Sequence, residues 1–314
     1  MKRSRLAPVI AVIFVVFGAS HLVRAQAADS HYDRIVQISH AYQVNLDVTY
    51  RTVNNWDAKL DIIRPRQSSA PTPTVIYFHG GGWTQGSKDS GLVAALPYLE
   101  TGWAVVNVAY RLASVSLAPA AVEDARCALR WIYRNAKQYN FDLNRLVLTG
   151  NSAGGHLALI TGMLTEDAGL DLGCPGDRGP GPVNTDPLKV AAVINWYGIT
   201  DVREMLAGPN RRAYAVMWHG GQPNREQIAT QVSPLTHVRP GLPPVLTIHG
   251  DADPTVPYSQ AVRLHEALQK AGVSNQLLTI PKGGHGGFNL EETRRIYAAI
   301  RSFLTTHLGM VTSS

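Results

Sequence analysis

Cysteine is scarce in this chain: two in 314 residues, Cys127 and Cys174. No histidines cluster near either, so they do not make a metal site. In an oxidising compartment the two can pair, but the sequence leaves open whether their Cα atoms come within reach. The chain also lacks a basic stripe, which argues against a nucleic-acid partner. It has no internal repeat and no low-complexity tract. Its N-terminal apolar run, 6–18, falls short of the roughly 20 residues that a membrane-spanning helix needs.

That run fits an export signal instead. Lys2, Arg3 and Arg5 precede it as a basic region, and Ala25-Gln26-Ala27 follows it as an A-x-A cleavage signal. The expectation is a secretory signal over 1–27 and a secreted or periplasmic protein starting at Ala28, with no membrane attachment after cleavage. No cysteine follows the cleavage site to carry a lipid anchor. Cleavage would remove Lys2, Arg3, Arg5 and Arg24 from a formal charge of +6, leaving about +2, so much of the basic balance is an export feature. Residues 28–314 are expected to form one domain with ample material for a core. Nothing in them fixes an oligomeric state.

Runs of β character at 46–51, 59–63, 74–78, 103–108, 144–149, 190–196, 244–248 and 276–280 punctuate the chain. After an antiparallel opening pair they alternate with segments of helical pattern. This predicts an α/β domain with a mostly parallel central sheet and helices on both faces. In the helix expected at 120–139, Val122, Ala125, Leu129, Ile132 and Tyr133 recur at helical spacing, and Glu123, Asp124, Arg126, Arg130 and Arg134 supply the polar side. Residues 170–187 and 201–240 interrupt the alternation and are expected to form small cap or rim insertions. Asp201, within the second, is read as a helix cap.

Three segments carry chemistry. Gly150-Asn151-Ser152-Ala153-Gly154 reads G-x-S-x-G between a β run and the opening of a helix, the context of a nucleophile elbow. Such a turn lifts the serine hydroxyl clear of the chain, and small flanking residues avoid the neighbouring strand and helix. His79-Gly80-Gly81-Gly82-Trp83 follows a second β run. Glycines there let backbone N–H groups approach the oxygen that becomes negative in acyl transfer. The expected donors are the amides of Gly81, Gly82 and Ala153, with His79 fixing the loop locally. The third segment is His249-Gly250-Asp251-Ala252-Asp253, followed by His285 in Gly283-Gly284-His285-Gly286-Gly287. The order Ser152, Asp253, His285 is one of the three orders in which the serine triad recurs. Asp251 is the rival acid. No cofactor or metal is expected.

These motifs resemble those of serine carboxylesterases of the α/β-hydrolase fold, over nearly the whole chain after the signal. The His-Gly-Gly-Gly-Trp and Gly-Asn-Ser-Ala-Gly-Gly segments are similar to hormone-sensitive-lipase-like enzymes. The acid segment 249–257 departs from their D-P-L pattern and looks like that of feruloyl and acetyl-xylan esterases, dienelactone hydrolases and prolyl-oligopeptidase domains. Its H-G-x-x-D-x-x-V spacing selects Asp253. The resemblance implies an acyl-enzyme mechanism on short-chain acyl esters, with acetyl or feruloyl esters of plant polysaccharide as candidates. Trp83, Trp196 and Trp218, with His219, are expected at the substrate pocket, where flat rings suit a sugar or a phenol. Two other functions stay open: a prolyl-oligopeptidase-like peptidase, and a non-catalytic binding protein on a hydrolase scaffold.

Overall fold

A computed structural model describes residues 40–175 and 188–309, together with Val36. The expected secretory signal and most of the 170–187 insertion lie outside the described residues. The chain divides into Met1–Gln43 and Val44–Ser314, and the core and the site belong to the second unit.

Eight strands form one sheet: β1 (Tyr42–Val53), β2 (Trp56–Pro65), β3 (Thr72–Phe78), β4 (Ala104–Val108), β5 (Phe141–Asn151), β6 (Ala192–Trp196), β7 (Val245–Gly250) and β8 (Asn275–Ile280). Their order across the sheet is β1-β2-β4-β3-β5-β6-β7-β8. β1 turns into β2 through Asn54-Asn55, both at positive φ (50° and 59°), the geometry of a tight hairpin turn that asparagine tolerates. β2 runs antiparallel to β4, and the strands from β4 to β8 are parallel. This matches the expected mostly parallel sheet with an antiparallel opening.

Parallel strands covered on both faces read as unbroken apolar runs, and β4 (Ala-Val-Val-Asn-Val) is buried throughout. Pairing register aligns Ile62, Val106, Ile76, Leu148, Val193 and Val245 in one buried row across six strands. On that face the row shares a core cluster with α2 (Ala120–Tyr139), α3 (Ala153–Met163) and α6 (Tyr258–Lys270). α1 (Leu92–Leu99) packs on β4, and α7 (Leu290–Leu308) packs on β6, β7 and β8. The second insertion, 201–240, holds two short helices, α4 (Ala213–His219) and α5 (Arg225–Gln231).

Two details differ from the sequence expectation. α2 has the predicted bounds, but Asp124 and Arg126 are buried instead of lying on its polar side. Arg111 and Arg51 pair with Asp124, both at 2.8 Å, and Arg126 pairs with Asp171 at 2.7 Å. Arg51 on β1, Arg111 after β4 and Asp171 beyond α3 meet this side of the helix, so its charges face partners instead of water. Asp201 does not cap a helix: the short helical turn after it, Arg203–Met205, has Val202 at its N-cap and no side-chain cap. Its carboxylate instead pairs with Arg263 and Arg203 at 3.3 and 3.4 Å.

Cys127 on α2 and Cys174 form a disulfide, with Cα atoms 5.1 Å apart. The bond closes a separation of 47 residues. A loop of that length removes enough unfolded-chain entropy that replacing both cysteines with alanine should lower the unfolding free energy by about 2–4 kcal/mol. Urea titration of the oxidised protein and the double variant measures this, and equal stabilities would mean the crosslink does not form.

Candidate active site

Every parallel strand ends at the same edge of the sheet, and ligands of open α/β sheets bind beyond the carboxyl ends of the strands. The loops leaving β3, β5, β7 and β8 there carry His79 to Trp83, Ser152, Asp253 and His285. Ser152 has φ 56° and ψ −122°, outside the regions a non-glycine residue favours. Its N–H donates to the Trp196 carbonyl at 2.8 Å. The elbow needs glycine for close approach: a Cβ on Gly154 would stand 2.0 Å from the Phe78 carbonyl oxygen, and one on Gly150 2.5 Å from the same atom. The start of α3 is therefore wedged against the end of β3, beside the loop that follows it.

The sequence-predicted triad residues are brought together. His285 Nε2 lies 2.9 Å from Ser152 Oγ, and His285 Nδ1 lies 2.7 Å from Asp253 Oδ2. Asp253 Oδ1 accepts from the Thr255 and Val256 N–H groups at 2.7 and 3.0 Å. Burial pushes the Asp253 carboxyl up, but hydrogen bonds from His249, His285 and the Val256 amide prevail and hold it well below the usual carboxylate range. Asp251 points elsewhere: its Oδ1 accepts from the Lys282 N–H at 2.6 Å, which ties the acid loop to the loop carrying His285. The far end of that second loop is fixed by a capping box, in which Asn289 and Glu292 bond each other's backbone N–H at the start of α7.

The glycine loop lies against the elbow. Gly81, Gly82 and Trp83 have consecutive positive φ (117°, 60° and 59°). Both the Thr84 and Gln85 N–H groups donate to the Gly81 carbonyl at 3.1 Å. Gly80 abuts Asn151, and Gly82 abuts Tyr214 of α4. His79 is buried, stacks on Tyr110 (ring centroids 4.3 Å apart) and donates from Nδ1 to its neighbour's carbonyl at 2.7 Å. It fixes the loop, as its sequence position suggests, and burial holds its pKa down.

The tryptophans divide. Trp83 and Trp218 are fully buried and stacked on each other at 4.1 Å. His219 is buried with them and bonds the Ala215 carbonyl. These three belong to the core beneath the loop and do not line a substrate pocket. The positive φ of Trp83 turns its ring inward, where Nε1–H donates to His156 Nδ1 at 3.2 Å. His156, on α3, passes the connection on by donating from Nε2 to the Val232 carbonyl at 2.7 Å. Burial drives its pKa down to about 3, so it stays neutral. Trp196 does face space: it lines a cavity of about 280 Å³ with Tyr77, Tyr98, Asn151, Tyr197 and Tyr297. Tyr77 donates to Asn151 Oδ1 at 2.7 Å, so the residue before the nucleophile is anchored from this side.

Sequence reading gave no role to His156, His249, Tyr197 or Tyr214. Tyr197 packs edge-on against His285 with centroids 4.6 Å apart, and Tyr214 stands between Gly82 and the Thr255 carbonyl. The two histidines shared one readable signal, a polar ring inside an otherwise apolar strand or helix, and His249 also opens the H-G-x-x-D-x-x-V segment. Among the described residues no group of three His, Cys, Asp or Glu side chains is placed to hold a metal, and no helix is long and apolar enough to cross a membrane.

A strained serine elbow between a strand and a helix, with its acid and base delivered from later strand ends, defines the α/β-hydrolase fold. Within that fold, residues 60–268 match the BD-FAE family model, and the chain belongs to this family. It is 28% identical to a truncated carbohydrate esterase from gut microbiota, with a TM-score of 0.68, covering 85% of this chain and 98% of that one. It is 27% identical to an esterase from Thermogutta terrifontis solved with propionate, with a TM-score of 0.69, covering 87% and 97%. Esterase LipC of Mycobacterium tuberculosis is 29% identical over 72% of this chain and 56% of its own length. Esterase LipQ of the same organism is 28% identical over 80% and 59%. The chain thus spans little more than half the length of these two relatives.

The Trp83–His156 bond makes a testable contribution. Trp83→Phe keeps the stacked ring but leaves His156 Nδ1 buried without a donor, which should cost about 1–3 kcal/mol of stability. Denaturant unfolding reads the difference directly, and a variant as stable as the parent would show that the bond contributes nothing.

Proposed function

We propose that the chain hydrolyses carboxylic esters through an acyl-enzyme on Ser152. The observation that carries this is the unbroken run of hydrogen bonds from Ser152 Oγ through His285 to Asp253. In this mechanism His285 Nε2 takes the proton of Ser152 as Oγ attacks the ester carbonyl. Asp253 holds the His285 tautomer and stabilises the imidazolium. The amides of Gly81, Gly82 and Ala153 receive the oxyanion, the largest single electrostatic contribution such sites make. Collapse of the tetrahedral intermediate expels the alcohol, which takes the proton from His285. Water, deprotonated by the same histidine, then releases the acid and regenerates the serine.

The substrates we assign are short-chain acyl esters, among them acetyl or feruloyl esters of plant polysaccharide. Support comes from the BD-FAE family match, from the carbohydrate esterase named above, and from the Thermogutta esterase solved with propionate and with butyrate. Trp196, Tyr77, Tyr197 and Tyr297 line a cavity with Asn151, the residue before Ser152 in the chain. The site is assigned to a secreted or periplasmic protein. The basic, apolar and A-x-A succession over 1–27 supports export, and so does the Cys127–Cys174 bond.

A p-nitrophenyl ester series from acetate to palmitate tests this. Turnover should be strongest on the short chains and should fall roughly 10⁶-fold in Ser152→Ala. Asp253→Asn should lose roughly 10⁴ in kcat, whereas Asp251→Asn should stay close to the parent. Folded protein with no Ser152-dependent turnover of any ester would refute the assignment and direct attention to peptides.

A further inference from the structure

One buried polar group beside the triad has no part in the chemistry above. His249, at the end of β7, is fully buried, with its ring edge-on to Tyr258. Its Nε2 hydrogen-bonds the Val256 carbonyl oxygen at 3.1 Å and lies 3.2 Å from Asp253 Oδ2, within ion-pair distance. Both neighbours are acceptors, so Nε2 carries a proton. Nδ1 is buried and has no hydrogen-bond partner. An unpartnered buried nitrogen costs about 1–3 kcal/mol, and an apolar ring of similar volume would avoid that cost. That ring would, however, leave the Val256 carbonyl without its donor, so what the imidazole supplies here is an Nε2–H facing both that carbonyl and the Asp253 carboxylate. The oxygen it approaches is the one that accepts from His285, while the other carboxylate oxygen is held by two backbone amides.

We propose that His249 is a positioning residue for the acid: its Nε2–H holds Asp253 Oδ2 in the orientation that His285 requires. His249 touches neither substrate nor the reacting atoms and acts through Asp253. Several other polar or charged groups surround this carboxylate. Burial and then the Asp253 charge raise the pKa of the Tyr197 and Tyr214 hydroxyls nearby, and the Arg212 guanidinium bonds the adjacent Pro254 and Thr255 carbonyls. Among the described residues, the side-chain nitrogens that come close to the carboxylate are His285 Nδ1 at 2.7 Å and His249 Nε2 at 3.2 Å. The inference rests on the ester hydrolysis proposed above.

Three substitutions isolate the proton. His249→Gln keeps an N–H near the position of Nε2, His249→Asn is too short to reach it, and His249→Phe fills the volume with no donor. The Asn and Phe variants should lose about 10–100-fold in kcat, the range seen when a hydrogen bond supporting a functional side chain is removed, with KM little changed. The Gln variant should recover most of that loss. In the Asn and Phe variants the low-pH limb of kcat/KM should move to higher pH, because a carboxylate that loses one donor holds the proton it shares with its remaining partner more tightly, and the acid–base pair titrates as a unit. Equal kcat across the three variants, or a loss that follows melting temperature with an unmoved limb, would overturn the proposal. If the parent turns over no ester, that failure belongs to the functional assignment, and NMR of ¹⁵N-labelled imidazoles decides the positioning separately. The proposal requires the His285 Nδ1–H resonance to shift in whichever of the Asn and Phe variants folds, and an unchanged resonance would overturn it.

Discussion

The site depends on one close approach, that of the elbow backbone to the end of β3. The Phe78 carbonyl oxygen sits where a Cβ on Gly150 or Gly154 would be. This contact lets the chain reverse from strand to helix within a single residue and leaves Ser152 at φ 56°. A non-glycine residue in so sparsely populated a region costs of the order of 1–3 kcal/mol and persists only where its surroundings over-determine it. Here they do: the strand before it is buried, the helix after it is buried, and its N–H is held by the Trp196 carbonyl. The same approach brings the glycine loop after β3 alongside the nucleophile.

Around that fixed point, two chains of polar contacts converge through the core. One runs from Trp83 to His156 to Val232 and joins the glycine loop to the elbow helix and to the 201–240 insertion. The other runs from Ser152 to His285 to Asp253 and joins the ends of three strands. Asp251 reinforces the second from outside the triad by locking the acid loop to the base loop. The carboxylate that ends this chain stays ionised despite its burial, because donors outweigh desolvation. A low-dielectric, fully bonded acid of this kind suits the orienting and stabilising part assigned to it.

Much of this was legible in the sequence where the signal is local. The apolar runs of the inner strands, the α2 bounds and the G-x-S-x-G turn follow from side-chain periodicity and glycine placement. What stayed hidden depends on distant partners. Asp124 and Arg126 read as solvent-facing because their neutralising partners lie outside the helix: Arg111 and Arg51, 13 and 73 residues from Asp124, and Asp171, 45 from Arg126. Trp83 and Trp218 read as pocket walls because flat rings suit a sugar or a phenol, and what buries them is their stacking on each other, a contact between distant segments. The cysteines were two candidates until their Cα separation was known. His249 opens the H-G-x-x-D-x-x-V spacing that selects Asp253, but that spacing does not say which oxygen of Asp253 it faces.

The central claim is that this geometry makes Ser152 a nucleophile, and covalent capture tests it most directly. A fluorophosphonate probe should label the native protein at one site, found by peptide mass spectrometry on Ser152, and His285→Ala should label far more slowly. Labelling that is absent from natively folded protein, that maps to another residue, or that proceeds equally without His285 would contradict the account.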